Sequence, residues 1–145
     1  GAGGVAGGAG AAAADAGSDG TAVNNTSVVV LATTEAGRVL LTGDIELTAQ
    51  ADLLAGRDDL RAEVLKVPHH GGRDLLPRFV AAVAPRVALI SVGADNRYGH
   101  PSPVTVRALT SPGTLVARTD AGGDLAVVPD GGAPAVVRRG PSAQR

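Results

Sequence analysis

The chain has 145 residues, a formal net charge of −1, 44% hydrophobic and 19% charged residues, and no Cys, Met or Trp. That length suits one domain, and with aromatics at 1% the core must be built from Val, Leu, Ile and Ala. Without Cys there is no disulfide framework, zinc finger, thiol nucleophile or iron–sulfur cluster. Near-neutral charge also argues against nucleic-acid binding driven by charge alone.

No apolar run approaches the roughly 18 residues of a membrane-spanning helix, and the start lacks the basic and apolar regions of a signal peptide. The chain does not begin with Met, and the expectation is a fragment or processed piece. Residues 1–22 are nearly all Gly, Ala, Asp and Ser without a period of 2 or 3.6, which predicts a flexible linker. The folded domain is expected over 23–128, and a disordered tail over 129–145, where Arg138 and Arg139 form a small basic cluster.

Within that window residues 27–32 (SVVVLA) read as a buried strand. Glu35-Ala36-Gly37 supplies a turn, and 38–42 (RVLLT) the returning strand. A helix is predicted over 46–55, with Leu47, Ala51 and Leu54 on one face and Gly56 as its stop. Residues 63–67 (EVLKV) form a third strand ended by Pro68, with Lys66 on its edge or face. Asp74 is placed to cap a helix carrying Leu75, Leu76, Phe79, Val80 and Val83, closed by Pro85. Residues 87–92 (VALISV) are a fourth strand. Ser102-Pro103 opens a short helix with Val104, Ala108 and Leu109. Residues 114–118 and 124–128 are expected to pair as a last hairpin across Ala121-Gly122-Gly123. Alternating strands and helices predict an α/β fold with a mixed sheet and flanking helices.

Residues suited to chemistry sit in three loops that follow strands: Thr42-Gly43-Asp44, His69-His70-Gly71-Gly72, and the segment from Asn96 to Pro101 that holds Tyr98 and His100. All three histidines of the chain fall there. Ligands of open α/β sheets gather beyond the carboxyl ends of the strands, so Asp44, His69, His70 and His100 can converge. Carboxylate and neutral imidazole suit Zn²⁺, Mn²⁺ or Fe²⁺. A bridged metal pair lowers the pKa of a bound water and clamps both oxygens of an in-line phosphoryl displacement. No nucleophile elbow, Walker loop or dinucleotide fingerprint competes with this reading. Asn96 and Tyr98 are placed to face substrate as polar groups. The same residues also have plainer uses: Gly43-Asp44 as a turn or helix cap, the paired histidines as loop structure, His100 as a loop residue, and Tyr98 as packing.

Taken together, NNTSVVVLATTEAGRVLLTGDIE, EVLKVPHHGG, ALISVGADNRYGHPSP and ARTDAGGDLAV resemble the C-terminal metallo-β-lactamase-like domain of ComEC-type competence proteins, the DNA-uptake channels of transformable bacteria. The resemblance covers about residues 24–128. It implies an αββα sandwich with a metal site at one edge, holding two divalent ions (Zn or Mn). Asp44 would be the bridging carboxylate. His69 or His70 would be a metal ligand, with His69 slightly favoured as nearer the strand end, and His100 would lie at the rim against substrate. The implied activity is a phosphodiesterase or DNase acting on DNA, on the extracytoplasmic side of the cell membrane, as a soluble domain of a polytopic protein.

One departure matters. The early H-x-[HD]-x-D-H ligand loop of such folds is missing, and so are the first-half strands. The chain therefore corresponds to the second half of the sandwich. Its partners would be the upstream half-domain and the membrane channel. By itself it is expected to be inactive and poorly stable or self-associating. Two other functions fit the same fold: a metal-free structural or DNA-guiding module, and a metallo-β-lactamase-like hydrolase with another substrate.

Overall fold

The computed structural model describes residues 15–56 and 58–139. Helix α1 (Asp15–Asn24) leads into the antiparallel pair β1 (Val30–Thr34) and β2 (Gly37–Leu41). Then follow α2 (Leu47–Ala55), β3 (Val64–Lys66), a 3₁₀ turn (Pro68–Gly71), α3 (Pro77–Val83), β4 (Val87–Ile90), α4 (Pro103–Thr110) and β5 (Leu115–Arg118). A one-turn helix α5 (Thr119–Gly122) precedes β6 (Asp124–Asp130) and β7 (Ala133–Arg139).

The main sheet has the order β1-β2-β3-β4-β5, with β2 to β5 parallel, so it is the mixed α/β sheet with flanking helices that the sequence predicts. Each parallel step moves one strand in the same direction. Right-handed crossovers therefore place α2, α3 and α4 on one face. On that face Leu40, Leu65 and Ala88 lie side by side in register and are buried with Ile90, Phe79, Val80, Val83 and Leu109. On the opposite face Val64 and Val87 are also buried, while Val30, Leu41 and Leu115 stay 45%, 43% and 50% exposed.

Five expectations are corrected. The span predicted as linker is helical from Asp15, and its C-terminal end is fastened by the Asn24 side chain, which donates to Glu46 Oε1 at 2.7 Å. Residues 1–14 and 140–145 lie outside the described residues. The predicted tail contains β7, and 114–118 does not pair with 124–128. Instead β5 continues the main sheet, Gly123 (φ 67°) redirects the chain, and β6 pairs with β7 across the left-handed Gly131-Gly132 turn. Helix α3 begins at Pro77 rather than under an Asp74 cap, because proline favours the first helical position and holds Leu76 extended. Finally, α2 turns its predicted face to the core only in part: Leu54 packs there but Leu47 is exposed, and the fully buried Gln50 ties the helix to the segment before α3. Its amide donates to Asp74 O at 2.7 Å and accepts from the Leu76 N–H at 2.8 Å.

Candidate metal centre

Three parallel strands end at one edge of the sheet, and each delivers one of the loops singled out in the sequence. Past β2, the buried Thr42 donates its hydroxyl to Lys66 O at 2.7 Å, which holds the loop to β3. Gly43 takes φ 55°, and a Cβ there would lie 2.6 Å from Ser27 Cβ, so only glycine allows this approach. The segment before β1 then clasps the loop. The Asp44 N–H donates to Ser27 Oγ at 3.1 Å, and the Glu46 N–H donates to Asn25 Oδ1 at 2.8 Å.

Past β3, Pro68 starts a turn in which His69 (φ 46°) and His70 (φ 53°) are both left-handed, followed by Gly71 (φ 78°). Left-handed non-glycine backbone costs about 1–2 kcal/mol per residue, so two in succession are strain that the surrounding structure holds in place. The holding contacts are visible. The His69 N–H donates to Gly43 O at 3.3 Å, the Ser102 N–H to Gly71 O at 2.8 Å, and the Thr105 hydroxyl to Gly72 O. Past β4, the Thr119 hydroxyl both accepts from the Val92 N–H and donates to Val92 O at 2.7 Å, fixing the root of the loop that carries Tyr98 and His100.

Asp44, His69, His70 and His100 thus line a single open cleft of about 350 Å³, together with Val92, Gly93, Asn96 and Tyr98. His70 Nδ1 lies 2.7 Å from Ser91 O. A carbonyl only accepts, so this nitrogen carries the proton and Nε2 of the neutral ring keeps its lone pair. That Nε2 sits 3.6 Å from Asp44 Oδ1. His69 Nδ1 is 3.2 Å from Glu46 Oε1, yet it is buried without an aligned hydrogen bond. The ring centroids of His69 and His100 are 5.3 Å apart. Burial, then the neighbouring imidazoles of His69 and His70, hold His100 below the ordinary histidine value.

Two charged neighbours were not singled out as site residues. Glu46, two positions after Asp44, was counted as the start of a helix, yet its buried carboxylate faces His69. Lys66, read as a face or edge residue, donates from Nζ to Gly43 O at 2.9 Å and stands 3.7 Å from Asp44 Oδ1. Burial lowers the Lys66 pKa, partly offset by Asp44. The D-x-E spacing was the available signal for Glu46. For Lys66 it was a lone cation in an apolar strand.

The donors suit a divalent cation: a half-exposed carboxylate, an imidazole with its far nitrogen committed to a backbone carbonyl, and a second imidazole beside a carboxylate. Such outer contacts orient metal-binding histidines. Among the described residues, however, no three His, Asp or Glu side chains are already drawn together as a metal cluster. The set is partial, and a four-coordinate site would need further donors.

Comparison with known proteins adds a relative. The chain is similar to ComE operon protein 3 of Bacillus subtilis (strain 168). Identity is 34% over 103 residues, 70% of this chain. A second match, the uncharacterized protein YcaI of Escherichia coli (strain K12), is 38% identical over 82 residues, 54% of the chain. The chain spans only 13% of the length of ComE operon protein 3 and 11% of that of YcaI. No protein-family model and no solved structure matches the chain. No helix among the described residues is long and apolar enough to cross a membrane.

Proposed function

We propose that this chain is the second half of a metallo-β-lactamase-like αββα sandwich and supplies part of a divalent-metal site for hydrolysis of DNA phosphodiesters. The parent would be a ComEC-type DNA-uptake protein of the cell membrane, with this domain on the extracytoplasmic side. The carrying observation is the convergence of Asp44, His69, His70 and His100 from three strand ends into one cleft. The similarity to ComE operon protein 3 supports the competence setting.

Asp44 and the Nε2 of His70 would hold the metal. His70 replaces His69 as the favoured ligand, because its Nδ1–H···O bond to Ser91 fixes the required tautomer. His69, beside Glu46, completes the imidazole wall, and His100 faces substrate as a neutral donor or acceptor at the rim. When bound, a divalent pair supplies an activated water and charge neutralisation at phosphorus. The chain's own residues orient the donors through Ser27, Gly43 and Ser91 and leave the cleft open on one side. The remaining ligands would come from the upstream half-domain.

One observation favours the metal-free reading as a structural or DNA-guiding module: the Lys66 ammonium already stands beside Asp44. One experiment separates the two. The full-length gene product that carries this chain is assayed with Mn²⁺ on single-stranded and duplex DNA, and its metal content is measured, beside Asp44→Ala. Bound metal and cleavage that fall together by 100-fold or more support the hydrolase, and the 145-residue chain by itself should cut nothing. A folded protein that holds no metal and leaves DNA intact supports the module.

A further inference from the structure

Tyr98 is the only tyrosine of the chain, and at 87% it is the most exposed of the large apolar side chains among the described residues. A ring so open contributes little to packing, yet the loop beneath it is built. The Tyr98 N–H donates to Asn96 Oδ1 at 2.7 Å, the Asn96 N–H donates to Gly93 O at 3.2 Å, and Thr119 pins Val92 just before. The ring centroid lies 6.3 Å from that of His100, with the planes inclined by 38°. Tyr98 also stands between two adjoining depressions. One is the cleft of Asp44, His69, His70 and His100. The other, of about 540 Å³, is lined by Gly93, Ala94, Asp95, Asn96, Arg97 and Tyr98. A Cβ added at Gly93 or Gly99 would meet nothing within 4 Å, so the surface beside the ring is open.

We propose that Tyr98 is a stacking platform for the nucleobase adjacent to the scissile phosphodiester, that the second depression receives this nucleotide, and that the ring gives the site a preference for single strands. The proposal rests on the phosphodiesterase reading above. Every nucleobase has a π-face, so an exposed ring accepts any of them. A duplex keeps those faces stacked inside and offers none. Arg97 and Asp95 share the wall and oppose each other in charge, so the second depression binds through the ring and not through a net field. Its share of affinity is therefore insensitive to salt, unlike contacts to phosphate.

The test uses the full-length gene product with Tyr98→Ala and Tyr98→Phe. With Mn²⁺, Tyr98→Ala raises KM for a single-stranded oligonucleotide about tenfold, the size of one base–aromatic stack. It narrows the ratio of single-strand to duplex kcat/KM by the same factor at both low and high salt. Tyr98→Phe retains the parent values, because the ring and not the hydroxyl acts. A second arm needs no cleavage: in EDTA, an oligonucleotide containing 2-aminopurine is quenched by the parent protein and Tyr98→Phe but not by Tyr98→Ala. Equal losses on both substrates, an unchanged Tyr98→Ala, or no quenching by the parent protein overturns the platform. If the parent protein cleaves neither substrate but quenching is lost in Tyr98→Ala, the platform stands and the phosphodiesterase reading fails.

Discussion

Asp44 has the contacts of a residue kept for something other than stability. Its carboxylate is 38% exposed, its nearest cation is the Lys66 ammonium at 3.7 Å, and its nearest imidazole is His70 at 3.6 Å. Pairs of that length and exposure contribute about 0–1 kcal/mol. Lys66 is different, since its ammonium also donates a 2.9 Å hydrogen bond to Gly43 O inside the loop. Lys66→Met is therefore expected to destabilise by about 1–2 kcal/mol in urea unfolding, and Asp44→Asn by less than about 1 kcal/mol. Their double-mutant coupling should also stay below about 1 kcal/mol. A coupling well above that would make the pair structural and favour the metal-free module.

At the scale of elements, glycines hold the loops where an added Cβ would collide with a neighbour. Gly71 takes φ 78°, and a Cβ there would stand 2.8 Å from Pro101 Cβ, where the histidine turn meets the loop before α4. Gly71→Ala should cost at least about 1–2 kcal/mol from backbone alone, and it should displace His70 and His100 together. The check is a lowered urea midpoint accompanied by changed histidine NMR shifts. Strands β2 and β3 are joined at their other end by Glu63, whose Oε2 accepts the Arg38 N–H at 2.6 Å. That bond, more than the Arg38 charge, holds the Glu63 pKa below the ordinary glutamate value. A carboxylate depressed on folding stabilises fully above its unfolded pKa, about 4.3. The contribution fades as pH falls through the folded value. Between neutrality and acid, Glu63→Gln should therefore lose less stability than the parent chain, as read by denaturant midpoints across that range.

These elements were unevenly legible. Glu35-Ala36-Gly37 announced the first hairpin, and Ser102-Pro103 the start of α4, because turn and cap chemistry is local. The second hairpin was hidden because Pro129 and Pro134 argue against strands. The structure sets them opposite each other in a two-stranded sheet, near the turn, where a missing N–H is tolerated. Helix α1 was hidden by small residues with no apolar stripe, and what fastens it, Asn24 on Glu46, is a contact 22 residues away. Asp44 and the histidines were legible because the chain has so few groups of that chemistry. Glu46 and Lys66 were not, since their part in the cleft follows from where strand ends and loops aim them.

The whole molecule is covered unequally, and its connectivity explains why. Because β2 to β5 are laid down in one direction, right-handed crossovers send all three long connecting helices to the same face. They bury Leu40, Leu65 and Ala88. On the other face Val64 and Val87 are buried too, with β7 packed near β4, and the margins stay open: Val30 and Leu41 towards the β1 edge and Leu115 on β5 are 45%, 43% and 50% exposed. The sheet register joins the first two directly: Val30 pairs with Leu41, and Leu41 with Lys66, whose ammonium reaches into the candidate metal centre. A second layer at the β1 edge of this face would cover Val30 and Leu41 beside Lys66. Without one, these exposed margins are surfaces for association. The 145-residue chain should therefore self-associate with concentration in sedimentation velocity, and Leu41→Glu with Leu115→Glu should shift it towards monomer while leaving its circular dichroism unchanged. A parent chain that stays monomeric at high concentration would show that this face needs no partner, and would remove one support for the half-sandwich reading.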